Sequence, residues 1–369
     1  MHPIFLALAL LALFGVHLAR LPARGGLTGA SAAFLTGLVA TALFLRLALG
    51  GLGVGRTTDF DRVVNAAVAA AQDEDAPLIL FAGASYSRNA IDDARLTEHL
   101  RARGHPHRVI NLSLEAASMM ERAAHLEEFM DRSGRVPDIV FIEVARDFDL
   151  RVAQFFGNSK FSVRGIEQFG PRATFWTARG LAGGACQGMA GCVKDGVFLA
   201  AHSGLNLLNV GLAARGERAE AAGRLDGYDP QTDPREEIDL MDRAIGLSAR
   251  PEARERSAPD WARAYRLAWR TRLEERGVRA VGYYFPPVID PAQRAYVGGL
   301  CDGELGGSAC FAPQDAALLR ALDADVWFDA AHLLDPGAAV YTGWLAARLA
   351  ESGLLSPGPA GQGGGTGSP

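Results

Sequence analysis

The chain alternates between short, wholly apolar runs and longer stretches in which apolar residues recur at helical spacing. "PLILFAG" (77–83) is a continuous apolar run of strand length, and "IDDARLTEHLRARG" (91–104) has helical periodicity ended by Gly104. "RVINLSL" (108–114) predicts a second strand, "EAASMMERAAHLEEFMDRSG" (115–134) a helix with a glycine stop, and "PDIVFIEVA" (137–145) a third strand. Strand, helix, strand, helix, strand with short connections implies an α/β fold whose parallel sheet is covered by helices.

Between 150 and 257 the rhythm loosens, and Phe155, Phe156, Phe161, Phe169, Phe175 and Trp176 are scattered among glycines and polar residues. This stretch predicts an inserted subdomain or lid rather than more sheet. The pattern resumes with a helix at 258–276 and a fourth strand within "GVRAVGYYFPPV" (277–288). A cysteine-bearing loop, a short strand in "ADVWF" (324–328), a loop holding Asp329 and His332, and a closing helix follow. Residues 55–76 have the spacing of an amphipathic connector, and "SPGPAGQGGGTGSP" (356–369) is a tail without core-forming content.

The amino terminus differs in kind. Residues 3–19 and 26–45 contain no Asp, Glu, Lys or Arg, and a turn with Arg20 and Arg24 joins them. Two such stretches predict a transmembrane hairpin within residues 1–54, the second being about long enough to cross a bilayer. The alternative for the first, a cleaved signal peptide, lacks a basic start and a clean small-residue cleavage site. Arg20 and Arg24 would keep the turn cytoplasmic and send residues from 50 onward outside, although Arg46, Arg56 and Arg62 pull the other way.

At 369 residues and 49% hydrophobic composition there is ample material for a core. A net charge of −5 without a long Lys/Arg run excludes a nucleic-acid backbone as an expected partner. Cys186 and Cys192 are near neighbours, as are Cys301 and Cys310, which suits two local disulfides in an oxidising compartment. Buried thiols are the alternative; zinc fits poorly, because neither pair has Cys-x2-Cys spacing.

Candidate chemistry begins at "GASYS" (83–87), where a strand hands over to a helix. A serine there suits a nucleophile beside free backbone N–H groups, and equally an ordinary cap. Far downstream, Asp329 and His332 form an Asp-x-x-His after the last predicted strand, so a hydroxyl, an imidazole and a carboxylate could converge on one rim of the sheet. Ser87 reads as the cap that starts the helix, with the choice of nucleophile between it and Ser85 left open. Asp335 reads as a turn residue, and His99, His105 and His107 are not expected to bind metal, because His105 and His107 flank a proline in a surface-like turn.

These residues resemble the SGNH (GDSL-like) hydrolase and acyltransferase superfamily over roughly 77–149 and 278–350. "GASYS" is similar to its first block, which implies Ser85 as nucleophile, and the segment beginning "FDAAH" at Phe328 is similar to its last, which implies His332 as base and Asp329 as its partner. "VINLSLEAAS" (109–118) resembles the second block, with Ser113 where a glycine lends its N–H to the oxyanion hole. In "EVARDFD" the third block's asparagine is replaced by Arg146, either an oxyanion donor or a partner of Asp147 or Glu143.

The resemblance implies a three-layer, flavodoxin-like domain over residues 55–355, needing no cofactor or metal, with an oxyanion hole of Ser85, Ser113 and Arg146. "GASYS" is also similar to the Gly-Thr-Ser-Tyr-Ser of alginate O-acetylation proteins, though these place their Asp-x-His before the serine. The function implied is that of a membrane-anchored, extracytoplasmic O-acyltransferase, O-acetyl by the same resemblance, acting on a cell-surface polysaccharide. It would face the periplasm or exterior from a bacterial inner membrane, with a membrane-bound O-acyltransferase supplying the acyl group. A glycan esterase and a non-catalytic assembly scaffold are the alternatives. The insert's aromatics and "DGYDP" (226–230) are expected either to line an acceptor groove or to pack internally.

Overall fold

The computed structural model describes residues 31, 34–42, 44, 59–157, 163–186, 188–208, 227–234, 258–313, 315–322 and 326–356. The apolar stretch 3–19, most of 26–45 and the tail from 357 lie outside these residues; residues 34–42 are helical. Among the described residues, no helix is long and apolar enough to cross a membrane.

The strands are β1 (Leu78–Ala82), β2 (Arg108–Asn111), β3 (Ile139–Glu143), β4 (Ala280–Tyr284) and β5 (Cys310–Phe311). They form one parallel sheet in the order β2-β1-β3-β4-β5, compatible with a flavodoxin-like fold. The helices around it are α1 (Asp59–Asp73), α2 (Ser85–Arg88), α3 (Asp93–Ala102), α4 (Met119–Ser133), α5 (Arg146–Asp149), α6 (Val152–Phe156) and α7 (Val163–Gln168). Then come α8 (Pro171–Ala182), α9 (Gly188–Leu208), α10 (Asp260–Glu275), α11 (Pro291–Asp302), α12 (Ala316–Ala321) and α13 (Asp335–Glu351).

Every residue of β1 and β3 is buried, which is why their sequences are apolar without alternation: helices cover both faces. Leu78, Leu80 and Ala82 pack with α1, α4 and α10, while Ile79 and Phe81 pack with α3 and α13. The edge strand β2 is capped by α3, whose Thr97 Oγ1 and Asp93 Oδ2 accept the N–H groups of Val109 and Asn111, each at 3.0 Å. Helix α4 begins later than its apolar pattern, because Ser118 and Glu121 form a reciprocal capping box; Gly134, at φ 67°, ends it.

The fifth strand departs from expectation. It lies at Cys310–Phe311, inside the predicted cysteine loop, and Trp327 instead makes an isolated antiparallel bridge to Leu333. A two-residue strand is too short to carry any periodic signal. Both cysteine pairings form, Cys186–Cys192 and Cys301–Cys310.

The described part of the insertion up to residue 208 is largely helical and packs into the domain. Phe155 and Phe156 are buried, and Phe155 meets Trp261 and Tyr265 of α10 edge-on at 5.0 and 5.5 Å. Phe169 is buried as well; Phe175 is exposed, and Phe161 lies outside the described residues. Beneath them the fully buried Asp149 is held by both oxygens on Arg266 at 2.8 Å and by the Tyr296 hydroxyl at 2.9 Å. Burial pushes the Asp149 carboxyl up, and the Arg266 charge opposes that shift.

Residues 227–231 return from the insertion to the sheet. Tyr228 is fully buried, and its hydroxyl donates to Asp335 Oδ1 at 2.7 Å. Asp229 N–H donates to Arg88 O at 2.9 Å, and Asp335 N–H donates to Gln231 O at 2.9 Å. A side chain with no free face cannot stack on a sugar, so Tyr228 of "DGYDP" packs internally instead of lining a groove. Gly227 is required by contact: a Cβ there would lie 1.9 Å from Asn111 O. We expect Gly227→Ala to lose about 1–3 kcal/mol or more of stability in urea unfolding through overpacking. Tyr228→Phe is expected to lose roughly 1–3 kcal/mol, because it leaves a carboxylate short of a donor.

Candidate active site

The site is assembled at the carboxyl ends of β1, β3 and β4, beside the point where strand order reverses. After β1 the chain turns through Gly83 and Ala84 into α2, whose first residue is Ser85. Gly83 has no room for a side chain, since a Cβ would come within 2.3 Å of Ser87 Oγ and 2.6 Å of the Tyr284 hydroxyl. The N–H of Ser85 has no intrahelical acceptor, because it stands in the first turn of α2.

Asp329 and His332 are presented by a tight antiparallel turn. Phe328 N–H donates to His332 O at 3.0 Å and Leu334 N–H to Val326 O at 2.8 Å, while Ile289 N–H ties Ala330 O to the loop after β4 at 3.1 Å. The Asp-x-x-His spacing has a local cause: Asp329 Oδ1 accepts the N–H groups of Ala331 and His332, both at 2.9 Å. That fold-back sets His332 Nδ1 2.7 Å from the same oxygen.

His332 Nε2 lies 2.9 Å from Ser85 Oγ. A carboxylate only accepts, so Nδ1 carries the imidazole proton, and Nε2 is left to accept the Ser85 O–H. The His332 and Asp329 side chains are 19% and 14% exposed, which leaves the group reachable from solvent. Burial pushes the Asp329 carboxyl up, but the hydrogen bonds from the His332 ring and from the Ala331 and His332 N–H groups outweigh it and leave the carboxyl below its ordinary value. Tyr86 lies face to face with the His332 ring at 5.3 Å and 11°, and its own edge is held by Phe285 at 5.2 Å. Chemically, a hydroxyl so placed can pass its proton to an oriented imidazole and attack an electrophilic carbon.

The remaining predicted site residues stand elsewhere. Ser113 is fully buried, and its N–H donates to Asn111 Oδ1 at 3.1 Å, so it is already committed. Arg146 donates its N–H to Gln293 Oε1 at 2.8 Å. Its side chain does not pair with Glu143, whose carboxylate is instead 3.0 Å from Arg122. Ser87 is not the cap of α2. That place belongs to Ala84, which has no side-chain oxygen, and Ser87 is buried with its hydroxyl donating to Glu143 Oε2 and accepting from Tyr284 at 2.7 Å. Asp335 opens α13 and receives Tyr228.

Sequence reasoning considered Glu143 only as a partner of Arg146 and passed over Tyr284. The signal available was a single carboxylate within an otherwise apolar strand, which folding tolerates only where it is paired. Compared with family models, curated proteins and solved structures, the chain matches none.

The lowered Asp329 value predicts a stability effect of definite sign. Its contribution is complete above the ordinary aspartate value of 3.8 and is lost as pH falls through the lower native value. Urea midpoints measured between pH 7 and pH 3 are therefore expected to fall less steeply in Asp329→Asn than in the wild type.

Proposed function

We propose that this chain is a serine acyltransferase of SGNH-like type, anchored in a membrane and acting outside the cytoplasm on the hydroxyl groups of a surface polysaccharide, most simply by O-acetyl transfer. The observation that carries the reading is the line of contacts from Ser85 Oγ to His332 Nε2, at 2.9 Å, and from His332 Nδ1 to Asp329, at 2.7 Å. Its place at the carboxyl rim of a parallel sheet supports a site where a ligand can enter. The apolar stretches at 3–19 and 26–45 support the anchor, and the two disulfides support an oxidising compartment.

In this reading His332 takes the Ser85 proton as Oγ attacks an ester carbonyl, and Asp329 holds the imidazole and stabilises the imidazolium that forms. The tetrahedral oxyanion is met by the N–H of Ser85 at the start of α2. Collapse expels the alcohol of the donor, which takes the proton from His332, and leaves an acyl-serine. A sugar hydroxyl then gives its proton to His332 and attacks the acyl carbon, and as the acyl–Oγ bond breaks Ser85 Oγ leaves and takes that proton back from His332. A membrane-bound O-acyltransferase is the proposed source of that group.

A second reading, a non-catalytic scaffold of a polysaccharide assembly, is favoured by one observation: the Ser113 N–H is spent on Asn111 rather than left for an oxyanion. An alkyl fluorophosphonate separates the readings. An enzyme is expected to be labelled at Ser85 in the intact chain and not in Ser85→Ala, whereas an unlabelled wild type supports the scaffold. With p-nitrophenyl acetate as donor, transfer predicts acetyl appearing on an added oligosaccharide. Release of acetate at a rate indifferent to the oligosaccharide would make the protein an esterase.

A further inference from the structure

Glu143 closes β3 as the last residue of a strand with no exposed position, directly under the turn that carries Ser85. Its Oε2 accepts two hydrogen bonds from that turn, from Ala84 N–H at 3.1 Å and from the Ser87 hydroxyl. Its Oε1 pairs with Arg122 at 3.0 Å, and Arg122 also donates to the Glu143 main-chain oxygen at 2.8 Å and to Ala117 O at 3.2 Å. From β4, the Tyr284 hydroxyl donates to Ser87 Oγ at 2.7 Å. Four separate elements, α2, α4, β3 and β4, therefore meet around one carboxylate.

We propose that Glu143 is a positioning residue for Ser85, acting through Ala84 and Ser87; the inference rests on the reading of Ser85 as the nucleophile. The reason is geometric. Ser85 lies between the two residues that Glu143 holds, so the carboxylate fixes the turn on both sides of it without touching it. Ser87 uses its single O–H on Glu143 and accepts from Tyr284, which takes it out of competition as a nucleophile. Arg122 has a purpose beyond packing. An unbalanced carboxylate beneath the turn would oppose the negative charge that grows as Ser85 attacks, and the guanidinium cancels it. The residues of "GASYS" then have distinct roles. Gly83 makes room, Ser85 attacks, Tyr86 backs His332, and Ser87 locks the turn to Glu143.

The test is the labelling kinetics of Ser85 with an alkyl fluorophosphonate in the full chain, resolved into reagent affinity and maximal rate, for the wild type, Glu143→Gln, Ser87→Ala and Tyr284→Phe. A turn loosened by a fraction of an ångström is expected to slow the maximal rate roughly 10- to 100-fold with reagent affinity little changed. Glu143→Gln leaves Arg122 buried and unpaired; if it fails to fold, Ser87→Ala, which removes a single hydroxyl, decides the matter. Slower labelling in well-folded Ser87→Ala, with the melting temperature held, bears the proposal out. Labelling at the wild-type maximal rate, or slowed only as far as the folded fraction falls, shows that Glu143 serves stability alone and overturns it. A wild type that does not label at all removes the nucleophile reading and the proposal with it, so the two failures are told apart by the wild-type reaction.

Discussion

Parallel strands have to be re-entered from the same end, so every connection that leaves a strand leaves from one rim. In this chain that rim collects the turn after β1, the ends of β3 and β4, and the loop preceding α13. The hydrogen bond from Ser85 to His332 spans 247 positions of sequence, and sheet topology is what makes it short in space. The order β2-β1-β3-β4-β5 also places the Ser85 turn where successive connections diverge to opposite faces of the sheet. Pairing supplies convergence, and local turns supply aim.

The aim is provided by polar groups that the core would otherwise exclude. Glu143 and Arg122 are almost wholly removed from water, as are Asp149 and Arg266, and each charge is matched by an opposite one with further hydrogen bonds. Such pairs contribute little net stability, because desolvation consumes most of their attraction, whereas leaving either partner alone is costly. Their value is in restricting arrangement. Asp149 fixes α5 against α10 and α11, and Glu143 fixes the Ser85 turn against the sheet. The same reasoning gives Gly227 and Gly83 their identity, since each lies where another chain segment occupies the volume of a side chain.

Much of the fold was legible in the sequence where the signal was local. The apolar runs at 77–83, 108–114 and 137–145 became β1, β2 and β3, because a strand buried on both faces has no reason to alternate. The Asp-x-x-His motif was legible too, since its geometry is an Asx-type turn closed within four residues. The role of Ser87 was not, because a serine near a helix start looks like a cap unless one knows that a carboxylate from another strand lies beneath it. Ser113 misled for a similar reason: whether its N–H is free depends on the Asn111 side chain, which folds back over it.

By itself, the sequence determined the first four strands, the parallel α/β architecture and the pair Asp329–His332, because each follows from hydrophobic periodicity or from hydrogen bonds between near neighbours. It also marked the cysteine pairs, whose partners are close along the chain. Only the tertiary structure decided that Cys310–Phe311 is the fifth strand, that Tyr228 is an internal anchor, and that Ser87 faces Glu143 while Ser85 faces His332. These are outcomes of packing between segments tens to hundreds of residues apart. Burial, not any pattern within the segments, determines which polar groups have to find each other there.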